Sequence, residues 1–404
     1  MVGDGVESMK RVLLGLCLSS LGCGSDPVSA TPDAGSIDGG MDSDAAAEVF
    51  PAFPPDLPRV LNAGGPTMKD PVVVPIVFAN EDPAKVTKLT DFLSKLPGSS
   101  YWSQTTKEYG VDSITIAPVV TLTESAPASI TDGEIAAWLT DAIANAKVPA
   151  NQPEKSLYVI YYPQTTTTIN GGQQSCTEYG GYHSEVGGVI FAVINGCASY
   201  SARTAPGETL LGFDFITGLT SHELLEAVTD PFYATKPAYR TIDNKHKAWS
   251  LYLYGAEVAD TCELQPNAFY KDPGIGYTVQ RSWSNQAADQ NHDPCVPAIG
   301  TPWVAAFPVS PPLGVPIVDG GATIPIRLVS DGPTNGFSVK AIDYASEHGK
   351  PAQLALSLDK SSGKNGDTLT LAVQVLAIDP TKYEGFILET DVGGVKRRTA
   401  GVVH

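Results

Sequence analysis

The spacing of apolar positions divides the chain before any chemistry is considered. Residues 70–80 (DPVVVPIVFAN) form an apolar, β-branched run between turn formers, the pattern of a buried strand. Residues 83–96 place Val86, Leu89, Phe92 and Leu93 on one helical face. A strand is expected over 113–122. Thr131 then opens a helix as N-cap, with Glu134 completing a capping box and Ile135, Trp138, Leu139 and Ile143 behind it. Residues 156–162 and 186–194 read as further strands, and 214–228 as an apolar helix stopped near Pro231. This alternation predicts an α/β or α+β domain over 59–298, a sheet covered by helices. Beyond Pro297 the pattern changes. Residues 323–329, 336–342, 368–375 and 385–390 read as strands between Gly, Asn and Asp turns, with no long helix. They predict a separate all-β sandwich over 299–404.

The N-terminal pattern differs again. Met9-Lys10-Arg11 precedes a short apolar run over 12–21, too short for a membrane-spanning helix, which needs about 20 apolar residues. Residues 1–23 therefore read as a secretion signal. Ser20-Leu21-Gly22-Cys23 resembles a bacterial lipobox, with Ser where Leu is expected. Two outcomes stay open: acylation of Cys23, or ordinary cleavage nearby without lipid. Residues 24–58, rich in Asp, Ala, Gly, Ser and Pro, read as a disordered tether. The expected location is the outer membrane, periplasm or cell surface as a lipoprotein, otherwise secreted, with membrane contact only through the lipid.

Charge and cysteine content agree with export. The 404 residues carry a formal net charge of -18, which argues against nucleic acid as a partner. With Cys17 in the apolar run and Cys23 at the processing site, Cys176, Cys197, Cys262 and Cys295 are left, an even set that favours disulfides. Of the three pairings, Cys176–Cys197 with Cys262–Cys295 closes modest local loops and is favoured. Zinc binding by these four is disfavoured, because no CxxC pair is present.

The segment 218–231, GLTSHELLEAVTDP, carries the chemistry. His222 and Glu226 are four apart and share one helical face, so they can offer a metal ion a nitrogen and an oxygen ligand. Glu223 stands where HExxH metallopeptidases carry the general base, and Glu replaces the second His to give HExxE. A carboxylate is a legitimate zinc ligand and softens the preference for zinc over other divalent metals. Some thirty residues on, Glu257 offers a third ligand, and Asp260 an acid to orient the ligating imidazole. His246 is an alternative third ligand from a polar loop; His292 reads as solvent-facing. Neither a phosphate-binding Gly-Lys-Ser/Thr loop nor a GxSxG elbow occurs.

Gly181-Tyr182-His183-Ser184, Ala192 to Cys197 (AVINGC), HELLEAVTDP, Glu257 to Cys262 (EVADTC) and Val279 to Asn285 (VQRSWSN) follow one another in an order that resembles the Exordium (phosphate-induced) family of extracellular proteins. The resemblance covers roughly residues 65 to 298. The chain departs from it in having fewer cysteines, Asp230 in the Thr-Asx-Pro turn and an extra β domain. The resemblance implies a zincin-like metal site at His222, Glu226 and Glu257, with Glu223 and Asp260 beside it. His183 is read two ways, as hydrogen-bond donor to an oxyanion or as a structural residue near Cys176. Tyr182 and Trp283 read as core.

The leading expectation is a metal-dependent hydrolase of zinc peptidase type, using Zn2+ or another divalent metal on a peptide or protein substrate. The competing one is a non-enzymatic cell-envelope protein in which the same residues form a structural metal site. A third places the function in the C-terminal sandwich, docking a cell-wall or surface ligand, although its sequence offers no aromatic platform.

Overall fold

Period-two alternation sorts the apolar side chains of the central strands onto two faces, and both faces are covered. In a computed structural model, residues 48–404 are described apart from 301, 312–313 and 378–382. The secretion signal, Cys17, Cys23 and residues 24–47 of the expected tether lie outside the described residues. The central sheet contains β1 (Val72–Val77), β2 (Thr115–Ile116), β3 (Ser156–Tyr162), β4 (Gly181–Val186) and β5 (Val189–Asn195), in the order β2-β1-β3-β5-β4. Neighbours are parallel except β4, which pairs antiparallel with β5 at the sheet's end. Leu157, Val159, Tyr161, Ile190, Ala192 and Ile194 face one helical layer, which includes Leu89, Phe92 and Leu93 of α1 (Pro83–Ser94). Tyr158, Ile160, Tyr162, Phe191 and Val193 face the other way, onto Ile135 and Leu139 of α3 (Asp132–Ala144); α2 is Ser100–Thr106. The Thr131–Glu134 capping box that starts α3 is formed in full.

Two strand expectations are revised, each for a local reason. The strand expected over 113–122 is two short pieces, β2 and Val120–Thr121, with Pro118 between them. The strand expected over 186–194 is half of a hairpin. Gly187 and Gly188 have φ of 55° and 82°, the left-handed pair that a tight two-residue turn requires, so β4 folds back on β5. His183 of β4 lies opposite Ala192. Directly opposed residues share a face, so His183 points to the side covered by α4 (Gly212–Thr229).

Past α4 the chain adds α5 (Lys247–Tyr252), α6 (Asp260–Glu263) and β6 (Thr278–Gln280), the last packed along α4. The C-terminal strands are β7 (Val304–Pro308), β8 (Gly321–Ser330), β9 (Phe337–Asp343), β10 (Leu354–Leu358), β11 (Ser362–Gly363), β12 (Thr368–Val375), β13 (Glu384–Val392) and β14 (Val395–Val403). They form two four-stranded antiparallel sheets, β7-β8-β12-β10 and β11-β9-β13-β14, around a shared core that includes Ile324, Leu328, Leu371, Phe337 and Phe386. The sandwich is fastened to the rest of the fold. Ile387, Ala400 and Val402 pack with Trp249, Tyr252, Val258 and Trp283, while Asp293 accepts hydrogen bonds from both Arg281 and Arg397 at 2.6 Å. Gln265 donates to the Arg398 carbonyl and accepts from its amide, both at 2.9 Å.

Residues 48–58, expected within the disordered tether, are instead held on the sandwich. The Asn365 amide accepts from Ala52 N and donates to Val49 O, and Phe53 and Leu57 pack near Trp303 and Phe307. These two apolar residues distinguish this stretch from the Asp/Gly/Ser-rich part before it.

Both expected disulfides are present, Cys176–Cys197 and Cys262–Cys295, with Cα atoms 5.4 and 5.8 Å apart. Such bonds fit an exported protein. Among the described residues no helix is long and apolar enough to cross a membrane. Replacing Cys262 and Cys295 together by Ala is expected to lower unfolding free energy by about 3–4 kcal/mol, the loop-closure scale. A denaturant midpoint unchanged from wild type would contradict the bracing role of that bond.

Candidate metal centre

Helix α4 is buried from Phe215 to Thr229, so every polar side chain on it needs a partner. Thr217, Ser221 and Thr229 return their hydroxyls to helix carbonyls, and Thr220 meets the Tyr161 hydroxyl. His222, Glu223 and Glu226 remain, at 5%, 3% and 4% exposure, and face groups from three other segments.

The first group surrounds His222 Nε2. Glu226 Oε2 is 3.2 Å away and Asp260 Oδ1 3.9 Å away. The opposite nitrogen, Nδ1, meets Gln280 Oε1 at 2.7 Å. An amide oxygen only accepts, so Nδ1 donates to Gln280 and Nε2 is the nitrogen turned toward the carboxylates. Gln280 is itself fixed on every side. Its Nε2 donates to Ala259 O, its amide donates to Ser221 Oγ and its carbonyl accepts from the Tyr101 hydroxyl. One residue thus joins α4, β6 and the turn before Asp260. The Asp260 amide in turn donates to Glu226 Oε1 at 3.1 Å, leaving Oε2 as the oxygen facing His222.

The second group surrounds His183. Its Nδ1 stands 3.8 Å from both Glu223 Oε2 and Glu226 Oε2, and its Nε2 is 3.6 Å from Glu257 Oε1. These are beyond hydrogen-bond reach, and His183 Nε2, Glu223 Oε2 and Glu257 Oε1 have no hydrogen-bond partner. Gly181 lets Glu223 come this close to β4: a Cβ there would lie 2.9 Å from Glu223 Oε1. Ligand atoms of His183, Glu223 and Glu226, and of His222, Glu226 and Asp260, lie within 4.8 Å of one another in each set.

All the expected site residues except His246 therefore converge, with some in other places than the sequence suggested. Glu257 faces His183 and not His222. Asp260 sits on the ligand side of His222, and Gln280 takes the orienting position behind the ring. His246 is engaged elsewhere, between Asp243 and Asp56, and His292 pairs with Asp331 at the surface. The sequence reading also passed over Glu263 and Arg203. Glu263 is buried, and Arg203 lies 3.8 Å from Asp260. No spacing rule reaches Gln280, which lies 58 residues from His222.

The electrostatics follow from crowding. Burial disfavours the imidazolium of His183, but Glu257, Glu223 and Glu226 outweigh it and raise its pKa to about 10. His222 is raised in the same way, burial being overcome by Glu226. Burial and then Glu226 push Asp260 up to about 7 and hold Glu257 well above the usual carboxylate range. Burial raises Glu263 to about 8. Without a metal the cluster is thus neutralised by protons, and a divalent cation must displace them.

These groups bind protons more tightly folded than unfolded. Their contribution to the stability of metal-free protein is complete below the unfolded carboxylate range near about 4. It is lost as pH rises through about 7 for Asp260, about 8 for Glu263 and about 10 for His183. Added Zn2+ is accordingly expected to raise the melting temperature more at pH 8 than at pH 5.5. An equal rise at both pH values would contradict proton displacement at this cluster.

No family model matches the chain, and no curated protein matches it in sequence.

Proposed function

We propose that the protein is an exported metal-dependent hydrolase, with His222, Glu226 and Asp260 as metal ligands and Glu223 as the proton-accepting carboxylate. The observation that carries the reading is the His222 arrangement: an imidazole whose outer nitrogen is locked by Gln280, facing two carboxylates across 3.2 and 3.9 Å. Ligands at about 2.0–2.2 Å from a shared ion stand about 3–4 Å apart, so the spacing fits. The orphaned buried oxygen Oε2 of Glu223 fits a missing partner of positive charge. A bound divalent ion would supply Lewis acidity, acidifying water and polarising a carbonyl. Glu223 would take the proton, a role supported by its Oε2, which has no hydrogen-bond partner. Two histidines among five carboxylates leave zinc as the first expectation and admit harder divalent ions.

The likeness to the Exordium family and to zincins is part of this proposal, resting on the ordered motifs and the HExxE helix. So is the substrate class, a peptide or protein. Acylation of Cys23 belongs to the proposal as well. A ligand of the cell wall or surface docking on the sandwich is a secondary element of it.

One observation favours a second reading, a non-enzymatic envelope protein with a structural metal site: the ligand groups are almost wholly buried. Glu223→Gln separates the two. The hydrolase reading expects hydrolysis of a peptide library to fall at least about 100-fold, the scale of general-base loss, while the ion at His222 is kept. Wild-type protein that holds metal and cleaves nothing would decide for the structural reading.

A further inference from the structure

The two ligand sets share a single oxygen. Glu226 Oε2 is the atom 3.2 Å from His222 Nε2 and also the atom 3.8 Å from His183 Nδ1. Among the described residues, no set of ligand atoms lying within 4.8 Å of one another contains both histidines. Two ligands of one ion are separated by at most about 4.2 Å when each bond is about 2.1 Å. One ion therefore cannot be held by His183 and His222 together in this arrangement. Either one histidine has no metal to bind, or there are two ions.

We propose that the site is dinuclear: one divalent ion on His222 Nε2, Glu226 and Asp260, a second on His183 Nδ1, Glu223 and Glu226, with Glu226 Oε2 bridging them. This rests on the hydrolase reading's first metal site and adds the second.

Three further observations carry it. Each histidine has a polar group behind its far nitrogen: Gln280 hydrogen-bonds His222 Nδ1 at 2.7 Å, and Glu257 Oε1 stands 3.6 Å from His183 Nε2. A carboxylate or amide behind each ligating ring is the usual support for a metal-bound histidine. Next, Glu223 Oε2 and His183 Nε2 are buried polar atoms without hydrogen-bond partners, on residues 3% and 7% exposed. A second ion engages Glu223 Oε2 and His183 Nδ1 directly, drawing Nε2–H toward Glu257. Finally, the cluster is strongly acidic. Glu223, Glu226, Glu257, Asp260 and Glu263 gather around the two histidines, and Arg203 lies 3.8 Å from Asp260. Metal binding displaces protons from such groups, and a second ion takes up more of the charge so released. Paired ions about 3.5–4 Å apart are an established hydrolytic arrangement, clamping both the attacking and the leaving oxygen. In this arrangement Glu223 Oε2 is a ligand of the second ion, which replaces the proton-accepting role that it has in the one-ion reading.

The test is metal stoichiometry on the full chain, stripped with chelator, dialysed against excess Zn2+ and measured by elemental analysis. The expected result is two ions per chain, falling to one in His183→Ala and to one in Glu223→Gln. Mn2+-loaded wild type is expected to give the exchange-coupled spectrum of two neighbouring ions by electron paramagnetic resonance. One ion in wild type, unchanged in both variants, overturns the dinuclear site and leaves the hydrolase reading standing. No bound ion overturns both. Should either variant fail to fold, the wild-type count and the manganese spectrum still decide.

Discussion

Gathering five carboxylates, three of them buried and two half-buried, around one turn of a helix is the constraint on which the rest of this fold turns. Each charge taken out of water carries a penalty of several kcal/mol unless it is paired, protonated or bound to metal. The surroundings of α4 make sense as answers to that constraint. Gln280 holds His222, the Asp260 amide holds Glu226, Gly181 clears room for Glu223, and Arg203 approaches Asp260. The central sheet supplies the rigid side. Its antiparallel end strand brings His183 down onto the helix, and the Gly187-Gly188 turn permits that reversal.

The opposing side is built from segments with little regular structure of their own, which explains the heavy bracing around them. The stretch carrying Glu257, Asp260 and Glu263 is joined by disulfide from Cys262 to Cys295, hydrogen-bonded by Gln280, and continued into Gln265, which pairs with the backbone of Arg398 in the sandwich. Trp283, expected as core, fills the space behind it with no exposed surface. The sandwich is thus more than an appended module: its β13–β14 face forms part of the wall that holds the acidic segment in place. The same sandwich holds residues 48–58, the first of the described residues.

Much of this was legible because it is local. The α3 capping box, the apolar face of α1 and the extent of α4 each lie within one helix, where spacing alone identifies them. The disulfides follow from loop length. HExxE places His222 and Glu226 on one face for the same reason. What the sequence did not yield depends on register between distant strands. That Glu257 meets His183 follows from the β4–β5 hairpin lying over α4, and Gln280 reaches His222 only because β6 runs along the same helix. The two-residue Gly turn falls one residue into the expected strand over 186–194, where the apolar run after it hides the reversal. Residues 48–58 were grouped with the tether on composition, although Phe53 and Leu57 mark the change.

The central claim is that these side chains form a metal centre built from imidazole and carboxylate alone. X-ray absorption at the zinc edge, on the full chain loaded with Zn2+, tests it most directly. The expected result is a first shell of nitrogen and oxygen at about 2.0–2.1 Å, with the outer-shell scattering of about one imidazole per zinc. A shell containing sulfur, or one without imidazole scattering, would contradict the account.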